Sequence, residues 1–438
     1  MKLKIAYRNT IKNWRHSLSA LLSLSASFVA LVLFDGYMDD IKKMYADNFK
    51  YRQMLGDVII ENKNLYSKDG LANPWNYWIS KAEQEKIISI LNEPEIEANI
   101  QVRNLQIQGM ITNGLQSQIL LGRGFDVISG EKMRGKHWSW NVTYGKPIDR
   151  FESRFVLALG QGLAKKLGCD WKKDPNRLTF YGGYEQIDYP FTCPNYDLQI
   201  SGTTVDGQLN AVDVQAVSLL DAGYKDIDDR YISTSLEVAQ TLMNTDSVTY
   251  ISAAFADPHF KEKKIFSLNQ KLKIFSQDLQ AQSWQDHRLG EMFRKTMDFL
   301  AIFRNFILVV IVVVSTLSVL NTMIKFVKER TKEIGTMRSI GFTTADISKI
   351  FFLESLFLSF LGTFIGLIFA LVFTFILNSA KILYKAGMLS ESVAFKIQYS
   401  PYSYFIATIL LVIVGTLATF LATRQVVKSK IVDNLNYV

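Results

Sequence analysis

Four predominantly apolar stretches, Leu18–Met38, Phe306–Phe326, Phe351–Leu377 and Tyr404–Leu421, constrain this chain more than any other feature. Each reaches the roughly 20 residues that a helix needs to cross a bilayer core, where every backbone N–H and C=O must be paired inside the segment. They predict an α-helical membrane domain of four spans. No such run occurs between Asp39 and Asp298, an interval long enough to bury a core of its own, which we expect to divide into two subdomains. A chain that is 48% hydrophobic and 21% charged fits that mixture of membrane and water-facing parts.

The basic residues orient the spans. Lys2, Lys4, Arg8, Lys12 and Arg15 precede the first; Lys325, Lys328, Arg330, Lys332, Arg338 and Lys349 lie around the second connection; Arg424, Lys428 and Lys430 follow the fourth. Only Glu329, Glu333, Asp346 and Asp433 oppose them, so the formal net charge of +8 resides in the short segments. Segments rich in Lys and Arg stay in the cytosol, which places both termini inside. The expected order is a cytosolic amphipathic helix (1–17), span one (18–38), a large extracytoplasmic domain (39–298), span two (300–326), a cytosolic segment (327–349), span three (350–378), an outer loop (379–401), span four (402–422) and a cytosolic tail (423–438). Positive charge spread over three membrane-flanking segments, with no basic face on one folded domain, does not imply a nucleic-acid partner. The first apolar run is long and lacks a small-residue cleavage site, so it is expected to remain as an anchor.

Within the large interval, GDVIIEN (56–62) and NIQVRNLQIQGMIT (99–112) alternate as strands, and SKAEQEKIISILNE (80–93) has a Ser start, an early Glu and helical spacing. An α+β domain is expected. FVLALGQGLAKKLGCD (155–170) reads as strand, glycine turn and short helix, RLTFYGG and YDLQISGTTVDGQ read as strands, and Phe260–Gly290 reads as one long helix leading to span two. Cys169 and Cys193 would face an oxidising compartment, where either a disulfide or two buried thiols is open to them. The aromatic clusters NPWNYW (73–78) and HWSW (137–140) suit core packing first and an apolar platform for an acyl chain second.

Catalytic signatures do not appear. GRGFDVISGEK (122–132) lacks the Gly-Lys-Ser/Thr ending of a phosphate-binding loop. His16, His137, His259 and His287 are scattered with no metal-ligand spacing, and there is no nucleophile elbow. The chain is expected to be a non-catalytic membrane subunit without a metal or a cofactor of its own. In the spans, Ser19, Ser23 and Ser27 recur every fourth residue, as do Gly362, Gly366 and Ala370. Small residues on one stripe let helices approach closely in lipid, from the same chain or a second copy.

Between spans two and three stands VKERTKEIGTMRSIGF (327–342). Its alternating charges continue a helix under the membrane, Gly341 ends it, and Thr343 with Asp346 starts the next. Such a helix suits docking into a groove on a soluble partner through Ile334, Met337 and Ile340, or it is a solvated elbow.

Asn321 to Gly366, with Asn321, Glu329, Arg330, Glu333, Ile334, Gly335, Arg338, Gly341, Glu354, Gly362 and Gly366 in place, resembles the FtsX-like permease domain of the MacB and LolC/LolE class of ABC transporters. LFDGYMDDIKKMY, LGDVIIE, FVLALGQGLAKKLG and ISGTTVDGQ resemble, more weakly, the flanks and core of that class's periplasmic domain. The resemblance implies mechanotransmission: a separate ATPase homodimer, which carries the ATP and magnesium, docks on the coupling helix, and the outer domain moves. It implies an ATPase-coupling role for Glu329, Arg330, Glu333, Ile334, Gly335, Met337, Arg338, Ile340 and Gly341. The bacterial inner membrane, a second permease chain and an envelope substrate follow from it, lipoprotein extraction first. An efflux subunit working with a periplasmic adaptor, or a regulator of a cell-wall hydrolase, is the alternative. The start of the chain almost directly at the first span favours the LolC/LolE-like kind, whose outer domain hooks a periplasmic carrier. Asp188, Pro190, Phe191 and Pro194 fall in the comparable place.

Overall fold

The computed structural model describes residues 14–138, 142–172, 189–222, 225–380, 382–384 and 393–427. The expected N-terminal amphipathic helix, RLTFYGG, Asp188 and Trp140 lie outside them. The chain divides into two units, one of residues 1–43, 297–382 and 395–438, the other of residues 44–296 and 383–394.

The helical unit is built from α1 (Trp14–Asp47), α6 (Glu291–Glu329), α7 (Thr331–Ser339), α8 (Thr344–Ser379) and α9 (Pro401–Val427). Among the described residues, four helices are long and apolar enough to cross a membrane. Their shared core includes Leu24, Phe28, Met323, Ile334, Phe351, Leu358 and Leu411. Many large side chains point outward instead, among them Phe306, Val314, Phe364, Phe375 and Leu417. An apolar surface of that kind is what lipid requires and water forbids.

The second unit is α+β, as its mixed periods predicted. Its strands are β1 (Val58–Asn62), β2 (Ala98–Thr112), β3 (Ser117–Phe125), β4 (Val142–Gly145), β5 (Val156–Gly160), β6 (Asp197–Thr203), β7 (Leu209–Leu220), β8 (Tyr231–Ser235), β9 (Tyr250–Phe255) and β10 (Leu279–Ser283). They form one ten-stranded sheet in the order β10-β1-β9-β2-β3-β8-β5-β7-β4, with β6 joined to β2 and β7. The pairs β3–β8 and β5–β7 are parallel, and the other pairs are antiparallel. The expectation of two subdomains is therefore corrected: a single sheet runs through the interval. Its main core takes Ile60 from β1, Leu105, Ile107 and Ile111 from β2, Leu157 and Leu159 from β5, and the inward side of α2 (Lys81–Leu91) through Ile87, Ile90 and Leu91.

Local signals account for several elements. Ser80 and Glu83 form the reciprocal capping box that starts α2. The strand, turn and helix at 155–170 are β5 followed by α3 (Gln161–Lys166), and α4 (Leu236–Met243) follows β8. The last expected helix is corrected. It spans only α5 (Lys261–Phe275); Ser276 is extended, and β10 then pairs antiparallel along all of β1. Five residues, LQAQS, provide too short an alternation to compete with the helical spacing before them.

Asp228 shows how this unit handles a buried charge. Its carboxylate accepts the Gly162 N–H at 2.9 Å and the Ala222 N–H at 3.1 Å. Burial pushes its pKa up to about 6, against those two hydrogen bonds.

Candidate coupling site

The segment after α6 folds as the short helix α7, and its register decides which side chains are available. Arg330, the residue between α6 and α7, is 4% exposed and lies over the Phe351 ring at 5.0 Å. Its Nε donates to Glu333 Oε2 at 2.7 Å, and its Nη1 donates to Glu354 Oε2 of α8. Glu354 is fully buried, so the bridge ties the elbow to α8 inside the helical core. A buried guanidinium demands such partners, because leaving one carboxylate out would strand a charge in an apolar surround.

Packing separates the residues expected to dock from those that only hold the elbow. Ile334 is 0% exposed within the helical core, Gly335 is buried, and Met337 packs partly against the same core. The expectation that Ile334 anchors a partner is corrected, since its side chain is used up by its own bundle. Arg330 is likewise internal. Glu329, Glu333, Ile340 and Gly341 are exposed and Arg338 is half-buried. Ile340, at 71% exposure, is the most exposed apolar residue of the expected trio. Gly341 turns the chain with φ +100°, a conformation that a side chain would strain. Thr343 then caps α8: its Oγ1 accepts the Asp346 N–H at 3.2 Å and donates to the Asp346 carboxylate.

The small-residue stripes meet partners that spacing did not indicate. A Cβ on Gly362 would come within 2.8 Å of Leu24 Cβ, and one on Gly366 within 2.8 Å of Phe28 Cβ. Ser25 Oγ also donates to the Gly362 carbonyl at 2.8 Å. The glycines thus press α8 onto the Leu24–Phe28 side of α1, with Ala370 buried further along. Ser23 instead meets Ser318 of α6, Oγ to Oγ at 2.7 Å; Ser27 is buried and Ser19 is exposed. Toward the other end of α6, Arg304 Nε donates to Asp35 Oδ1 of α1 at 2.8 Å, and Ser403 of α9 donates to the same carboxylate.

In the α+β unit, Cys169 and Cys193 form a disulfide, with Cα atoms 4.0 Å apart. Beside it, Asp170 and Thr192 exchange backbone hydrogen bonds of 2.8 and 2.9 Å. Phe191, expected in a docking hook, is corrected to a core residue at 9% exposure, packed edge-on to Tyr196. Pro190 and Pro194 are exposed. The cluster at 73–78 is a short 3-10 turn, with Trp78 against the main core and Trp75 38% exposed. Among the described residues, no group of three or more His, Cys, Asp or Glu could hold a metal ion.

Residues 305–431, which contain α7 and the Arg330–Glu354 bridge, match the FtsX-like permease C-terminal family. The chain is similar to the lipoprotein-releasing system transmembrane protein LolE of Haemophilus influenzae, 23% identical over 74% of each chain. It is also similar to the macrolide export ATP-binding/permease protein MacB of Escherichia coli K12, 26% identical over 35% of this chain and 22% of that one. Among solved structures, the periplasmic region of MacB from Actinobacillus actinomycetemcomitans overlays 56% of this chain and 92% of its own, at a TM-score of 0.33 and 11% identity.

Proposed function

From a chain that carries an FtsX-like permease domain and is homologous to LolE and MacB, we propose that this ABC transporter permease releases lipoproteins from the bacterial inner membrane. A separate ATPase homodimer, with its ATP and magnesium, docks on α7 and drives the movement. The observation that carries this reading is α7 itself. It is a short helix clamped to α8 by Arg330 and Glu354, with Glu333 and Ile340 left on the outside. A lever has to be fixed to the load on one side and open to the drive on the other. Similarity to LolE over 74% of both chains, against 35% and 22% for MacB, supports lipoprotein release over efflux.

In this reading both termini lie in the cytosol and residues 44–296 lie outside it. A second permease chain completes the transporter, and an outer carrier collects the cargo. Ile340→Asp tests the docking without touching the clamp. It is expected to weaken retention of the ATPase subunit during purification from native membranes by about thirtyfold, since one buried anchor of an interface contributes on the order of 2 kcal/mol, while leaving the permease monodisperse. An unchanged ATPase yield removes the docking assignment. Recovery of an adaptor or a hydrolase in place of acylated lipoprotein keeps the coupling and changes the cargo.

A further inference from the structure

The α+β unit holds a cavity of about 1050 Å³ between one sheet face and the residues around Trp75, at the upper end of the roughly 300–1000 Å³ typical of small-molecule sites. Its floor follows from strand register. Ile119, Leu121 and Arg123 alternate along one face of β3, opposite Met110, Gln108 and Gln106 of β2. Exposure falls along that row from 63% at Ile119 to 45% at Leu121 and 8% at Arg123. An apolar track therefore descends over about 13 Å to a buried cation.

Arg123 Nη1 donates to the Gln53 carbonyl at 2.8 Å and to Tyr250 Oη at 3.2 Å, while its buried Nε has no partner. Among the described residues, no carboxylate lies within ion-pair distance of it. A guanidinium nine-tenths buried in the wall of a largely apolar cavity, without a carboxylate partner among the described residues, is a charge arranged for an incoming anion. The other elements lining the cavity add Trp75 and Leu71, both partly exposed and apolar. We propose that this cavity binds a single-chain anionic amphiphile, its acyl chain along Leu121 and Ile119 and its carboxylate or phosphate head on Arg123. The site stands whether or not the transported cargo is a lipoprotein.

The test uses the full chain in amphipol with three radiolabelled probes: palmitate, 1-palmitoyl lysophosphatidate and the uncharged hexadecanol. Saturable binding of palmitate alone identifies a fatty-acid site, and of lysophosphatidate alone a phosphate-headed lipid. Either supports the proposal if Arg123→Gln weakens it by about tenfold or more and Arg123→Lys retains most of it. Ile119→Glu, on an exposed wall where folding is not at risk, should abolish binding. No saturable binding of either anion, equal affinity in wild type and Arg123→Gln, or hexadecanol binding as tightly as palmitate overturns it.

Discussion

Two arginine–carboxylate contacts join helices in the helical unit, and they are built differently. Arg330 and Glu354 are 4% and 1% exposed, with an aromatic ring over the guanidinium. Arg304 and Asp35 are 37% and 14% exposed, with the Ser403 hydroxyl as a third member. In the first, burial leaves the guanidinium to its carboxylates, Glu354 inside the core and Glu333 at its edge; in the second, water or headgroups share the load. Identical chemistry therefore performs a structural clamp at one end of α6 and an adjustable contact toward the other. Asp228 supplies a third arrangement, a buried carboxylate held by backbone N–H groups with no cation within ion-pair distance among the described residues.

The largest effect should come from Glu354→Ala. Removing the buried carboxylate leaves Arg330 only its half-exposed partner Glu333 and is expected to cost about 3 kcal/mol and to lower the apparent melting temperature, read by size-exclusion after heating, by several degrees. The paired replacement Arg330→Met with Glu354→Met should recover most of that loss, because no charge is left unpaired. Arg304→Ala should cost about 1 kcal/mol, so equal shifts for Glu354→Ala and Arg304→Ala would erase the distinction between clamp and adjustable contact.

The smallest effect is one of pH. Asp228 keeps its proton in the folded state up to about pH 6, whereas an unfolded Asp loses it near pH 4. The folded state thus binds more protons between those values, and the stability this contributes is full below about pH 4 and lost as pH rises through about 6. Denaturant unfolding at pH 4.5 and 6.5, followed by aromatic circular dichroism, should show that fall in wild type and a flatter profile in Asp228→Asn. A profile unchanged by the substitution would mean that the backbone donors hold the carboxylate ionised.

What could be read from the sequence was whatever local spacing specifies. The strand at 58–62 and the capped helix at 81–91 announce themselves by alternation and by Ser80 with Glu83. What could not be read was which surface each face meets. The amphipathic spacing of α7 correctly marks an apolar side, but whether that side serves a partner or its own bundle depends on α8 and α1, and Ile334 is buried there. Ser19, Ser23 and Ser27 look like a mate for Gly362 and Gly366, yet Leu24, Ser25 and Phe28 are what the glycines touch. Arg330 and Glu354 are separated by 24 positions across a turn, so their pairing belongs to tertiary structure. The cysteine spacing permitted the disulfide without requiring it.

The length of α6 has a mechanical consequence. Its 39 residues span about 58 Å at 1.5 Å per residue, almost twice the roughly 30 Å of a bilayer's hydrocarbon core. Nearly half of this rod must stand clear of the lipid tails, and an unbroken helix resists bending. In the proposed coupling, a twist or tilt imposed at the Arg330 end would travel along α6 with little compliance.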